Sequence, residues 1–138
     1  MSSDHFELRK AETLHVPAER MIVRAWIELL GAGIALSRVR LVKAYLEPGA
    51  RTVWHCHHRG QTIHVTDGVL LTQERGTAPE RFTAGQTSVC APGVWHWHGA
   101  DDTHLLAHIA VIEEEDDGGE GTGAEPVTQE KYAAALRS

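Results

Sequence analysis

The chain is a series of short apolar segments separated by turn residues, and this pattern restricts its fold more than any other feature. The segments are short and rich in β-branched side chains, and no helix-length amphipathic pattern lies between them. Glycine, proline and charged residues interrupt the series at close intervals. We predict strands at 22–28, 38–46, 51–57, 61–66, 69–75, 80–83, 87–91 and 104–112. The series predicts an all-β fold, either an antiparallel barrel or a double-sheet sandwich.

The length of 138 residues predicts a single domain. A C-terminal helix is expected because Thr128 is a suitable N-cap and the alanines that follow favour helix. We therefore divide the chain into an N-terminal arm (1–20), a barrel (21–112), an acidic glycine-rich loop (113–126) and a helix (127–138).

The net charge of -6 comes from one local run of acidic residues. Residues 113–125 contain seven acidic side chains and no lysine or arginine, and we interpret them as a solvated loop. The rest of the chain has 13 basic and 12 acidic residues. We find no basic stripe, so nucleic acid is not an expected partner.

Targeting signals are not apparent in the sequence. No apolar stretch approaches 18 residues, and the N-terminus lacks a basic segment followed by an apolar one. We expect no membrane contact and a cytoplasmic location. In such a compartment Cys56 and Cys90 are expected to be free thiols.

Eight of the ten histidines fall between His55 and His108. On a strand, His55 and His57 share one face about 7 Å apart. The turn after them brings Gln61 back toward the pair, and His96 and His98 share a face further along the chain. Imidazoles and a side-chain oxygen arranged in this way suit a divalent ion with open coordination positions. Ordinary hydrogen-bonded histidines are the alternative, and composition alone leaves both open.

Two motifs in the chain resemble the signatures of the cupin family. The first has the order G-x5-H-x-H-x3-Q-x6-G, from Gly49 to Gly68, and the second runs from Gly85 through APG to His96. The sequence departs from the family at Gln61, where glutamate is usual, and at Ala91 and Ala100, which replace proline and asparagine. The resemblance implies a small jelly-roll β-barrel.

The same resemblance implies the ligands of a metal ion, which are His55, His57, Gln61 and His96. Mn(II) is the ion that we expect first, with Fe(II) and Zn(II) as alternatives. A neutral amide in place of a carboxylate leaves the +2 charge uncompensated, which favours polarisation of an oxygen over redox chemistry.

One branch of small cupins, the bacterial manganese-dependent hydroxynitrile lyases, has this His-His-Gln-His set. The stretches EPGARTVWHCHHRGQTIHVTDG and PGVWHWHGA resemble that branch. The resemblance implies that Thr52 and His108 line the site, with His108 as acid and base. Those lyases have a pocket glutamine four residues after this histidine, and here the position is Ile112.

Strand alternation adds three further predictions to the site. Val42 and Ala44 are small residues on one face of a strand and are expected to form pocket walls with Ile112. His98 shares the face of His96 and is expected to support a metal ligand or to face the substrate, and we count it among the catalytic residues. His108 lies between apolar neighbours, where a histidine stays neutral and serves as a base near pH 7.

Three functions remain open at this point. The first is a metal-dependent enzyme that polarises a small oxygenated substrate, with hydroxynitrile-lyase-like cleavage of a C–C bond. The second is an Fe(II) dioxygenase, and the third is a non-catalytic barrel that binds a metal or a small molecule. An exposed N-terminal strand and the tryptophan-rich surface predict a homodimer or homotetramer.

Overall fold

The computed structural model describes residues 14–116 and 121–138. Residues 1–13 and 117–120, which belong to the predicted arm and acidic loop, lie outside the described ranges. The strands are β1 (Leu14–His15), β2 (Met21–Ile22), β3 (Ala25–Ala32), β4 (Val39–Leu46), β5 (Arg51–Thr52), β6 (His55–Cys56), β7 (Gln61–Asp67), β8 (Val69–Glu74), β9 (Glu80–Thr83), β10 (Thr87–Cys90), β11 (His96–Ala100), β12 (Leu106–Glu113) and β13 (Thr122–Gly123). The helix α1 spans Gln129–Leu136.

The strands form two antiparallel sheets that enclose an apolar interior. The first sheet has the order β1-β3-β4-β12-β7-β10. The second has the order β13-β6-β11-β5-β2, and β8 pairs with β11 and with β9. This arrangement confirms the predicted all-β barrel with a short C-terminal helix. Strand alternation turns one face of each sheet inward, so the interior side chains of both sheets meet in a single core.

Strand β11 was not among the predicted strands, although it carries two of the predicted site residues. All five of its residues are buried. The histidines His96 and His98 face the interior, while Trp97 packs against Tyr132 of α1 on the other side. Because both faces are covered, the strand lacks the polar and apolar alternation by which a half-exposed strand is predicted.

The helix covers a second apolar cluster on the outside of the barrel. Its N-cap is Thr128, whose side chain accepts a hydrogen bond from the backbone N–H of Lys131 at 3.1 Å. The hydroxyl of Tyr132 donates to the carbonyl of Ala100 at 2.7 Å, which ties α1 to the end of β11. The cluster comprises Trp54, Leu71, Trp97, Val127, Tyr132 and Ala135. Trp54 and Trp97 are therefore packing residues beneath the helix.

The described acidic residues of 113–125 form ion pairs rather than a fully solvated loop. Glu114 pairs with Arg40 at 2.8 Å, and Asp116 pairs with Arg59 at 3.0 Å. Glu125 pairs with Arg75 at 3.1 Å. Thr122 and Gly123 form β13, which is paired with Cys56 and His55 of β6. The part of this segment that follows residue 120 therefore lies against the strand that carries His55.

Among the residues that the structure describes, none of the helices has the length and apolar character of a membrane span.

Candidate metal centre and active site

His55 and His96 are brought together by the pairing of β6 with β11. The two residues are direct partners in the register of this pair, and their ring centroids are 4.3 Å apart. Nδ1 of His55 lies 2.8 Å from the carbonyl oxygen of Val53, and Nδ1 of His96 lies 3.1 Å from that of Val94. A carbonyl accepts, so each Nδ1 carries the ring hydrogen and each Nε2 keeps its lone pair. Both histidines are thus oriented as ligands through Nε2.

The turn after His57 returns the chain to the same site, as the sequence predicts. The backbone N–H of Gly60 donates to the carbonyl of His57 at 3.0 Å, and Gly60 has a φ of 83°, a conformation that glycine adopts readily. Strand β7 then begins at Gln61, whose Oε1 lies 3.4 Å from Nε2 of His96. The ring of His57 is 5.0 Å from that of His55. The ring of His57 is also 5.6 Å from that of His96, so the four predicted ligands are neighbours in the structure.

His98 also belongs to this group. One nitrogen atom from each of His55, His96 and His98 lies within 4.8 Å of the others, a separation that suits a shared metal ion. The Nδ1 of His98 is buried and has no hydrogen-bond partner among the described residues. The sequence predicted that His98 supports a ligand or faces the substrate, and the structure adds direct contact with the ion as a third role that its position allows.

Burial keeps these histidines uncharged at neutral pH. Loss of water, with the neighbouring His96 as a second cause, lowers the pKa of His55 from 6.5 to about 3. Burial likewise lowers the pKa of His96 to about 4 and places the pKa of His98 well below 6.5. Neutral imidazoles are the form that binds metal. The donor set of nitrogen atoms and an amide oxygen fits a divalent ion, and none of the predicted ligands carries a carboxylate.

His108 stands beside this group as an isolated polar side chain. It lies on β12 between Ala44 of β4 and Val65 of β7, and its ring centroid is 5.6 Å from that of His98. Neither ring nitrogen has a hydrogen-bond partner among the described residues. Burial lowers its pKa to about 4, so the ring is neutral at pH 7 and has a free acceptor nitrogen.

The side chain of Thr52 contacts the backbone of His98, which the sequence did not predict. Its Oγ1 accepts a hydrogen bond from the backbone N–H of His98 at 3.1 Å. This contact holds the start of the His98–Ala100 segment against β5, and the hydroxyl hydrogen of Thr52 remains to be donated into the cavity. Thr52 therefore positions His98 and lines the site at the same time.

A cavity of about 850 Å³ opens onto three of the four predicted ligands, His55, His57 and Gln61. Its lining includes the predicted walls Val42, Ala44 and Ile112, and also Thr52, His98 and His108. Ile112 is the cross-strand neighbour of Gln61, so the departure from the lyase pattern puts an apolar side chain next to a predicted ligand. Cavity walls of this kind accommodate a small organic molecule with a largely apolar skeleton.

Two other histidines lie apart from the cavity lining. His58 is exposed and its Nδ1 lies 3.1 Å from Oε1 of Glu115. His64 is exposed on the opposite face of β7 and contacts Thr87 at 2.9 Å. Cys90 was given no role in the sequence analysis beyond that of a free thiol, yet its Sγ lies 3.1 Å from Nδ1 of His96. A six-residue separation across a loop carries no periodic signal that could have predicted this contact.

Comparison with known proteins agrees with the fold and the motifs. The profile of the Cupin domain family matches residues 42–112, which is more than half of the chain. The chain belongs to the cupin domain family. The all-β barrel is therefore a cupin jelly roll, as the two motifs implied.

Two solved cupins show the same fold. A cupin-like protein from Thermotoga maritima has a TM-score of 0.82 at 29% identity, over 92% of this chain and 96% of that protein. A cupin-2 domain from Rhodospirillum rubrum has a TM-score of 0.67 at 15% identity, over 91% of this chain and 82% of that one. The second likeness concerns the fold alone.

One relative of this chain has a named activity. An (R)-mandelonitrile lyase from Granulicella tundricola is 45% identical over 86 residues. The match covers 62% of this chain and 65% of the relative, which is slightly less than two thirds of its length.

Proposed function

We propose that this cupin is a metal-dependent lyase that splits a cyanohydrin into a carbonyl compound and hydrogen cyanide. The observation that carries the proposal is the position of His108, which lines the same cavity as His55 and His57 and whose ring nitrogens have no hydrogen-bond partner among the described residues. The similarity to an (R)-mandelonitrile lyase supports the same reaction class.

The ligands in this proposal are His55, His57, Gln61 and His96, because two of the rings present Nε2 and Gln61 adds a neutral oxygen. A divalent ion held there, Mn(II) in our proposal, would polarise a substrate hydroxyl and lower the pKa of that group. Ile112 and the other apolar walls exclude water and orient the carbon skeleton.

His108 performs the proton transfers in this scheme. Its free ring nitrogen accepts the hydroxyl proton of the cyanohydrin, and the electron pair of the O–H bond forms the carbonyl π bond. The bond between the carbinol carbon and the nitrile carbon breaks, and its electron pair leaves with cyanide. His108 then returns the proton to cyanide, which is released as hydrogen cyanide. No electrons are gained or lost overall, so the reaction needs no oxidant.

The experiment is anaerobic turnover of (R)-mandelonitrile by protein loaded with Mn(II). Benzaldehyde and cyanide are expected in equal amounts, at a rate that does not change when air is admitted. His108→Ala is expected to lower the rate by about 10²- to 10⁴-fold because it removes the general base. His64→Ala, which changes an exposed histidine on the outer face of β7, is the matched control and should keep the rate. A lack of cleavage by the loaded protein, or consumption of O₂ in step with product, would contradict the proposal.

A further inference from the structure

The charged residues that line the cavity are all basic. Its described lining contains Arg20 and Arg40 but no aspartate or glutamate, and most of the remaining lining is apolar. A divalent ion with neutral ligands would add further positive charge. Such a cavity attracts an anion more strongly than a neutral molecule, because the surrounding apolar walls screen the field poorly.

The two arginines differ in what they contact. Arg40 is held by Glu114, with Nε 3.0 Å and Nη2 2.8 Å from Oε2 of that carboxylate. Its charge is therefore balanced within the protein. The guanidinium of Arg20 forms no hydrogen bond or ion pair with any residue in 14–116 or 121–138.

The backbone of Arg20 is nevertheless held firmly beside the site. Its N–H donates to the carbonyl of Pro17 at 3.0 Å, and its carbonyl accepts from the N–H of Val53 at 3.1 Å. Val53 is two residues before His55, and the charge of Arg20 is one of the causes, the smallest, that lower the pKa of His55. Arg20 is thus an exposed cation at the rim of the cavity, unpaired among the described residues and within electrostatic reach of the predicted ligands.

We propose that Arg20 binds a carboxylate of the substrate, so that the substrate class of this site is hydroxyl-bearing carboxylic acids in their anionic form. A guanidinium matches the two oxygens of a carboxylate with parallel hydrogen bonds. Arg20 is the sole unpaired cation in the described lining, whereas a phosphate group commonly has several donors. The apolar walls then contact the carbon skeleton between the two polar ends of the molecule.

This inference rests on the proposed function in one respect, namely that the hydroxyl end of the substrate lies at the histidine group. The binding of a carboxylate at the other end of the substrate is not part of the proposed function and is added by this inference. In the setting of cyanohydrin cleavage, the substrate would be the cyanohydrin of an aldehyde or ketone that also carries a carboxylate.

The test uses two probes of nearly equal shape, 4-(hydroxymethyl)benzoate and its neutral amide. Isothermal titration calorimetry on the Mn(II)-loaded protein measures the affinity ratio of the two probes for four proteins: the unmodified chain, Arg20→Gln, Arg20→Lys and Arg137→Gln. Arg137 is an exposed arginine at the end of α1, outside the cavity lining, and its replacement makes the same change in net charge.

The unmodified chain is expected to bind the carboxylate at least about tenfold more tightly than the amide, as a hydrogen bond between charged groups implies. Arg20→Gln should bring that ratio close to one, Arg20→Lys should restore part of it, and Arg137→Gln should leave it intact. An unchanged ratio in Arg20→Gln, or no binding of either probe, would overturn the inference.

The two proposals fail separately in this design. Loss of the carboxylate preference in a chain that still cleaves neutral mandelonitrile would overturn the role of Arg20 and leave the lyase standing. An intact, Arg20-dependent preference in a chain that cleaves no cyanohydrin would overturn the lyase and support the carboxylate site.

Discussion

His55 and His96 face each other across the β6–β11 pair, and Nδ1 of each ring points to a backbone carbonyl two residues earlier in the chain. The same local geometry thus orients both rings, although they lie on different strands. Because strand pairing sets which residues are opposite, a slip of one residue in this register would turn one ring away from the cavity. The candidate centre therefore depends on the barrel being correctly paired.

The first prediction concerns the metal ligands. His55→Ala and His96→Ala should each abolish bound metal, measured by elemental analysis of protein expressed with mixed metals, because each removes an oriented nitrogen. The control is His64→Ala, whose side chain contacts Thr87 outside the cavity. Full metal content in either His55→Ala or His96→Ala would refute the ligand set.

His57→Ala and His98→Ala distinguish whether His57 or His98 binds the ion together with His55 and His96. If the set is His55, His57, Gln61 and His96, metal content should fall in His57→Ala and persist in His98→Ala. The reverse result would assign the ion to the three convergent nitrogens of His55, His96 and His98. Circular dichroism of both variants establishes that the barrel is intact.

A second prediction concerns the thiol of Cys90. Its Sγ lies 3.1 Å from Nδ1 of His96 and shares that N–H with the carbonyl of Val94. Cys90→Ala should weaken Mn(II) binding by about tenfold, since partners of a ligand's second nitrogen tune its orientation and basicity. Cys90→Ser keeps an acceptor at this position and should recover part of the affinity. Equal loss in both variants would mean that Cys90 acts only through packing.

A third prediction concerns the pH dependence of stability in the metal-free protein. The pKa of His108 is about 4 in the folded chain against 6.5 for an ordinary histidine, so the unfolded chain binds its proton first as the pH falls. The neutral, buried ring therefore favours the folded chain fully above pH 6.5, and this contribution to the free energy of unfolding is lost progressively as the pH falls toward 4. For His108 alone the free energy of unfolding should fall by about 2 kcal/mol between pH 7 and pH 5. Urea titrations should show a smaller fall in His108→Leu, and an equal fall would contradict the assignment.

A fourth prediction is that the chain forms a homodimer or homotetramer. Several large apolar side chains of the β3–β4 hairpin are exposed, among them Ile34 at 88% and Leu36 at 97%. Exposed apolar side chains grouped in this way favour association. Light scattering at working concentration measures the mass, and a monomer of 15.2 kDa would contradict the prediction.

The sequence predicted the barrel well because most strands are half buried. In β4 and β12, alternation placed Val42, Ala44 and His108 on the inner face, where the structure has them. The motif from Gly49 to Gly68 predicted the turn that brings Gln61 beside His96. These features depend on local geometry, which a sequence pattern records directly.

The remaining features depend on contacts between distant segments. Strand β11 escaped prediction because α1 covers its outer face, and β13 is two residues long with no pattern of its own. The contact of Thr52 with the N–H of His98 joins the paired strands β5 and β11, which are distant in sequence, and that of Cys90 with His96 spans the loop between β10 and β11. That Arg20 has no partner in 14–116 or 121–138 is likewise visible only once the neighbours of its guanidinium are known.

The most direct test of metal-dependent cleavage is a titration of metal-free protein with Mn(II), with the rate of benzaldehyde release from (R)-mandelonitrile measured at each step. The proposed function predicts a rate that is absent without metal, rises in proportion to bound Mn(II) and reaches its maximum at one ion per chain. A rate that is the same with and without metal, or no rate at full occupancy, would contradict it.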